Sequence, residues 1–106
     1  MAPPLPPSTP PSPWVRRFAP MVPAGGAVLD LACGGGRHAR LFIERGHPVT
    51  TLDRDVTLVA DLSEAEILRA DLEDGSLWPL PGRRFAGIVV ANYLHRPLFP
   101  VLLESL

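Results

Sequence analysis

Residues 28–42, VLDLACGGGRHARLF, place three consecutive glycines between a strand-like run and a helix-like run. Apolar residues flank Asp30 on both sides, a pattern typical of a parallel strand that is buried on both faces. After the glycines, residues 36–45 follow the helical period, and Gly46 is suited to end that helix. A glycine loop between a strand and a helix lets a ligand come close to the main chain. The segment therefore predicts an α/β fold with a ligand site at this loop.

Three further apolar or β-branched runs predict more strands, over residues 47–53, 66–71 and 85–94. Together with the helical segments between them, they indicate a mostly parallel sheet with helices on its faces. In such sheets ligands bind at the carboxyl ends of the strands. Each predicted strand carries a polar residue at or near that end, and these residues are Asp30, Asp53, Asp71 and Asn92.

The first thirteen residues, MAPPLPPSTPPSP, hold seven of the fourteen prolines of the chain. Because proline fixes φ and removes backbone donors, residues 1–11 are expected to form an extended, disordered tail without a core. The alternative is that this segment is a PxxP ligand for an aromatic groove. Residues 12–106 are expected to form the domain, which opens with a short helix over residues 12–21 in which Trp14 and Phe18 share one face.

Charge and composition argue against several classes of partner. The formal net charge is −1, and all ten basic residues are arginine. This balance argues against a nucleic-acid binder, which would need a basic face. No apolar run approaches the roughly 20 residues that cross a bilayer, and the N-terminus has no apolar signal core. The single cysteine, Cys33, excludes an internal disulfide and gives no metal-ligand pair. We therefore expect a cytoplasmic protein without a metal site, in which Cys33 fills space within the loop.

The glycine loop also matches a dinucleotide-binding pattern. Gly34, Gly36 and Ala39 satisfy G-x-G-x-x-G/A, and Asp53 lies at about the spacing of the ribose-binding acid. In those proteins the loop amides receive a pyrophosphate, which the carboxylate of Asp30 would repel. An ammonium or sulfonium group would instead be attracted. The charge pattern thus favours S-adenosylmethionine over NAD, and an NAD(P)-binding oxidoreductase fragment stays as the alternative.

Four segments, in order, resemble the motifs of class I S-adenosylmethionine-dependent methyltransferases, roughly over residues 12–106. VLDLACGGGRH resembles the first motif, an acid followed by a Gly-x-Gly-x-Gly loop, and VTTLDRD resembles the second. ILRADLEDG and VVANYLHRP are similar to the third and fourth. The resemblance implies a Rossmann-like parallel sheet with flanking helices, and transfer of a methyl group to an unidentified acceptor, a small molecule or another substrate.

The resemblance also implies a role for each matching residue. Asp30, with the loop amides near Gly34 and Gly36, would contact the methionine part of the cofactor. Asp53 would accept both ribose hydroxyls, and Arg54 beside it would border the adenine. The alternative reading of Asp30 is a helix N-cap, and that of Asp53 is an ordinary turn acid.

The third and fourth motifs imply the rest of the cofactor site. Asp71, unless it is another turn acid, would accept from the adenine amino group while the Leu72 amide donates to the ring. Asn92 would face the sulfonium and the substrate entrance. Ala32 departs from the pattern, since the family often has its first glycine there. A methyl group is tolerated if the backbone stays in the β region, so we treat Ala32 as a variant that keeps its place among the cofactor-binding residues. His38, on the first turn of the helix, is expected to face solvent.

The resemblance names no catalytic residue, because methyl transfer in this family depends on aligning the acceptor with an already activated methyl group. The family has a seven-stranded sheet in which the fourth strand lies inside. Here the sequence ends about one helix after that strand. We therefore expect a domain that is incomplete at its C-terminus, with an open sheet edge that promotes self-association. A truncated, non-catalytic cofactor-binding domain is the second alternative function.

Overall fold

Within the described part of the chain, four short strands pair side by side in a parallel sheet. The computed structural model describes residues 10–73, 77–90 and 99–106. The strands are β1 (Val28–Leu31), β2 (Val49–Asp53), β3 (Ala65–Arg69) and β4 (Gly87–Val90). Their order is β3-β2-β1-β4, and every neighbouring pair is parallel. The predicted α/β class with a parallel sheet is confirmed.

Among the described residues, three α-helices and two 3-10 helices precede, connect or follow the strands. The α-helices are α1 (Pro13–Phe18), α2 (Arg37–Glu44) and α3 (Phe99–Glu104), and the 3-10 helices are Ala19–Met21 and Thr57–Val59. The helices predicted over residues 12–21 and 36–45 are therefore present. The third predicted strand ends at Arg69, so Asp71 follows it by two residues. The last four residues of the fourth predicted strand lie outside the described residues.

The sheet is covered on both faces, as the apolar run around Asp30 predicts. Every residue of β1 is buried. Val28 belongs to the core layer that contains α2 residues Ala39 and Phe42, whereas Leu29 belongs to the layer on the opposite face. Because side chains alternate along a strand, Asp30 shares the α2 face with Val28. This alternation places a carboxylate directly beneath the start of α2.

The segment before α1 is fixed to the first turn of α2. The backbone N–H of Ser12 donates to His38 Nε2 at 3.2 Å, and Arg37 Nη1 donates to the Pro10 carbonyl at 3.4 Å. His38 is only 4% exposed, so the expectation that it faces solvent is wrong. Burial lowers the pKa of His38 to about 4, and the neutral ring can accept the Ser12 N–H. The cause of the error is a contact with a residue 26 positions earlier, which local periodicity cannot reveal.

The strand order determines where a ligand crevice lies. The chain passes from β1 to β2 and β3 on one side, and then returns to place β4 on the other side of β1. Ligands in open parallel sheets bind near such a reversal, outside the carboxyl ends of the strands. The glycine loop leaves β1 at this position. In the part of the chain that the structure describes, no helix has both the length and the hydropathy to cross a membrane.

Candidate functional site

The glycine loop after β1 makes a tight turn that uses left-handed backbone conformations. Gly34 and Gly36 have φ of +53° and +79°. Ala32, at +55°, is the one non-glycine residue with positive φ among the residues described. The backbone of Ala32 therefore does not stay in the β region, so the condition under which a methyl group is tolerated there is not met. A side chain in this conformation costs about 1–2 kcal/mol, which explains why glycine suits this position better than alanine.

Asp30 lies buried behind the loop. It is 1% exposed, and its Oδ2 accepts the backbone N–H of Ala39, in the first turn of α2, at 3.1 Å. The N-cap residue of α2 is Gly36, so Asp30 is not the N-cap; its carboxylate accepts a first-turn N–H of α2 from within β1. Burial raises the pKa of Asp30 to about 7; the Ala39 N–H opposes this shift, and the nearby Asp53 carboxylate adds to it. Its negative charge near neutral pH is thus smaller than the sequence suggests.

Asp53, at the end of β2, holds the loop from the other side. Its Oδ2 accepts the backbone N–H of Gly34 at 2.9 Å, and its Oδ1 accepts that of Asp55 at 3.2 Å. Unlike Asp30, Asp53 is partly exposed. A carboxylate offers about four acceptor positions, so these two bonds fix its orientation and leave acceptor capacity on each oxygen. The geometry suits a group that also receives hydroxyls from a ligand.

The loop amides that the sequence assigns to a ligand are paired within the protein. Gly34 donates to Asp53, and Gly36 donates to the Cys33 carbonyl at 2.9 Å. A pyrophosphate placed on these amides would have to displace a carboxylate that already occupies one of them. The Asp53 carboxylate thus adds a charge that repels a dianionic pyrophosphate at this loop. The predicted contact of these two amides with the methionine part of the cofactor would require the same displacement.

A cavity of about 1280 Å³ opens beyond the ends of β2 and β3. It is bounded by the residues that follow β2, by those that follow β3, and by residues 77–79. Three of the predicted site residues, Arg54, Asp71 and Leu72, line it. Asp71 is exposed, and its Oδ1 accepts the backbone N–H of Glu73 at 2.9 Å. The second and third motifs thus contribute to one cavity.

Trp78 is a cavity residue that the sequence interpretation missed. Its segment reads as turn material because of its glycine and proline content. The side chain is half-buried, and it packs on the core cluster that contains Leu29 and Phe85. Its buried Nε1 has no hydrogen-bond partner among the described residues. A large aromatic residue within a segment rich in glycine and proline was the available signal, since the burial of its ring stabilises the fold.

The remaining predicted residues are not brought into this cavity. Five of them are absent from its lining: Asp30 in β1, Asp53 at the end of β2, and Ala32, Gly34 and Gly36 in the loop. Asn92 lies outside the described residues. Cys33 is a buried, free thiol whose pKa is raised to about 12 by burial, so it fills space, as expected, and is no nucleophile at neutral pH. No group of three metal-ligating side chains was found in the ranges that the structure covers.

A comparison with protein-family models finds no match, and no curated protein matches the chain. Among solved structures, the chain is similar to a TehB-like SAM-dependent methyltransferase from Corynebacterium glutamicum. The two are 28% identical, with a TM-score of 0.58, over 70% of this chain and 41% of the other. The chain thus matches less than half the length of that protein. Its parallel sheet with flanking helices is a Rossmann-like fold, as in this methyltransferase.

Proposed function

We propose that this chain binds S-adenosylmethionine and serves as the cofactor-binding part of a methyltransferase. The observation that carries the proposal is the arrangement at two adjacent strand ends. Asp53 orients the glycine loop through Gly34, and the cavity beside it is lined by Asp71 and Leu72. These are positions at which the methyltransferase motifs require an acid or an amide. Similarity to a SAM-dependent methyltransferase supports the same function.

The residues around the cavity fit an adenosine group. Asp53 has acceptor capacity for ribose hydroxyls, and Asp71 is exposed and able to accept from an exocyclic amine. Val56 and Leu72 offer apolar contacts, and the half-buried Trp78 adds an aromatic ring. An aromatic base packs well on such side chains. In this proposal Asp30 acts through the loop, which it joins to α2, and supports the binding of the methionine part indirectly.

The chemistry assigned to the protein is positional. When bound, the cofactor supplies an activated methyl group on its sulfonium. The protein holds the nucleoside at the ends of β2 and β3 and leaves the crevice near β4 for an acceptor. We assign no residue as a catalytic acid or base. The methyl acceptor is a small molecule or another substrate. A cytoplasmic location is part of the proposal.

A dinucleotide is the second candidate, because one observation favours it. Arg54 directly follows Asp53 and lines the cavity, and an arginine near the ribose-binding acid is the means by which NADP-binding folds hold a 2′-phosphate. Against this candidate stands the carboxylate of Asp53 on the Gly34 amide. A non-catalytic cofactor-binding domain is the third candidate.

Calorimetric titration separates these candidates. We expect S-adenosylmethionine and its demethylated product to bind at least tenfold more tightly than NAD or NADP. Tighter binding of either dinucleotide would overturn the proposal. The catalytic part is tested by transfer of a labelled methyl group from S-adenosylmethionine to small molecules or proteins of a cell extract. Binding without transfer would leave the cofactor site in place and favour the non-catalytic domain.

A further inference from the structure

Helix α1 presents an apolar surface to solvent. Trp14 is 66% exposed, Phe18 44% and Met21, in the adjoining 3-10 helix, 76%. The opposite side of this segment is anchored, since Ala19 is buried in the core and Val15 packs against it. The exposed side chains therefore lie on a fixed support. We name Trp14, Phe18 and Met21 the α1 patch.

The aromatic rings of the α1 patch hold a defined arrangement. The Trp14 and Phe18 rings are stacked, with centroids 5.4 Å apart and an interplanar angle of 8°. The Arg17 guanidinium lies 5.8 Å from the Trp14 centroid and 5.5 Å from the Phe18 centroid. Because the cation contacts both rings, it favours this stack over other rotamers. The result is a pre-organised aromatic surface, and ordering it on binding costs little side-chain entropy.

We propose that the α1 patch binds the proline-rich segment, residues 1–9, of a second copy of this chain. That segment has four prolines, in the order PPLPP, next to the patch in sequence. Polyproline II segments dock on exposed aromatic side chains, because their conformation is formed in advance and their pyrrolidine rings pack on aromatic faces. The chain thus carries both a proline-rich ligand and an aromatic surface of the type that binds it.

The hydrogen bonds that hold Pro10 and Ser12 to α2 favour binding of the segment to the patch of a second copy over binding to the patch of its own chain. Arg37 contacts the Pro10 carbonyl, and His38 accepts the Ser12 N–H, so the chain enters α1 from the side of α2. A proline-rich segment is stiff and extends by about 3.1 Å per residue. Because Pro10, Pro11 and Pro13 follow residues 1–9, the sequence disfavours the sharp reversal that would bring this segment to Trp14 of its own chain. In a two-fold pair, each segment lies on the patch of the other, and the two contacts are equivalent.

Sedimentation of the full chain tests the proposal. We expect a concentration-dependent dimer that becomes a monomer in Trp14→Ala, and also in a variant with Pro3, Pro4, Pro6 and Pro7 changed to alanine. Leu103→Ala removes another exposed apolar side chain, 71% exposed on α3, and should dimerise as the parent does. Trp14→Tyr should restore part of the dimer. Thermal melts of all variants are the control, and each variant should unfold close to the melting temperature of the parent.

A labelled peptide provides the second measurement. The receptor is the full chain with the four prolines changed to alanine, so its own segment does not compete. A fluorescein-labelled peptide of residues 1–11 should bind it, with at least tenfold weaker binding when Trp14→Ala is added. The same peptide with its first four prolines changed to alanine should not bind. A dimer that persists in both variants, a monomer at every concentration, or equal peptide binding by Trp14→Ala would overturn the proposal.

Discussion

The carboxylate of Asp53 accepts the backbone N–H of Gly34 at 2.9 Å, and this bond joins the end of β2 to the loop that leaves β1. Asp30 makes the corresponding bond to Ala39 at the far end of the loop. Two acids from neighbouring strands therefore hold both ends of the glycine turn. The two differ in exposure, since Asp30 is buried and Asp53 is partly exposed. Substitutions at the two positions should have different effects.

Asp53→Ala should weaken binding of S-adenosylmethionine at least tenfold. The carboxylate makes charge-assisted bonds worth roughly 1.5–3 kcal/mol each, to the loop and, as proposed, to ribose. Asp53→Asn keeps an acceptor for the Gly34 N–H and should have a melting temperature close to that of the parent. Because it lacks the carboxylate charge, its affinity for S-adenosylmethionine should still be reduced. Calorimetry and circular dichroism measure both effects. Asp61→Ala, at an exposed acid outside the cavity lining, is the control, and parental affinity in Asp53→Ala would show that the second motif is misplaced.

Asp30 should make stability decrease as the pH rises. Burial raises its pKa to about 7 in the folded chain, from 3.8 when it is exposed. Between about pH 4 and pH 7 the folded chain keeps a proton that the unfolded chain has released, so the free energy of unfolding falls across this range. Asp30→Asn keeps an acceptor for Ala39 and removes the titration. Melting temperatures from pH 5 to pH 8 should therefore fall more steeply in the parent than in the variant, and parallel profiles would contradict the prediction.

Ala32→Gly should stabilise the chain by about 0.5–1 kcal/mol. Relief of the left-handed alanine is worth about 1–2 kcal/mol, and the greater freedom of glycine in the unfolded chain offsets part of it. Denaturant unfolding measures the difference. Ala60→Gly is the matched control, because Ala60 has an ordinary φ of −58° and should lose stability. Equal losses in the two variants would contradict the strain at Ala32.

Gly36→Ala should destabilise the chain more than Gly46→Ala. Both glycines have positive φ, +79° and +89°, so both substitutions introduce backbone strain. A Cβ at Gly36 would also lie 2.8 Å from Val59 Cγ1, whereas nothing lies within 4 Å of one at Gly46. We expect losses of about 2–4 and 1–2 kcal/mol, respectively. Equal losses in denaturant unfolding would show that the loop does not pack on the Thr57–Val59 helix as described.

Much of the fold follows from local patterns. The apolar run around Asp30 indicates a strand covered on both faces, and β1 is buried throughout. The helical period after the glycines places α2 correctly. Asp71 and Leu72 line the same cavity as Arg54, as expected of residues that follow adjacent parallel strands. The end of β2 at Asp53 follows this local pattern, whereas β3 ends at Arg69, two residues before its predicted end.

Other features depend on contacts between distant segments, which the sequence does not display. The burial of His38 depends on Ser12, and the left-handed Ala32 depends on how the loop closes between two acids. The sequence does not show on which face of the sheet the Asp30 side chain lies, because the residues on both faces of its strand are apolar. Trp78 comes from a segment of turn residues, and its place in the cavity follows from packing against the sheet. The roles of Asp30, Ala32 and Trp78 in binding a cofactor stay predictions.

The strand order determines which parts of the sheet can form early during folding. Val28 pairs with Val49 on one side and with Gly87 on the other, so its second partner lies almost three times as far along the chain. Closing the longer loop costs more chain entropy, and pairings of high contact order form slowly. We therefore expect the β1–β2 unit, with the glycine turn between its two acids, to assemble first. Addition of β4 then completes the central strand, so the crevice at the reversal is the last part of the sheet to form.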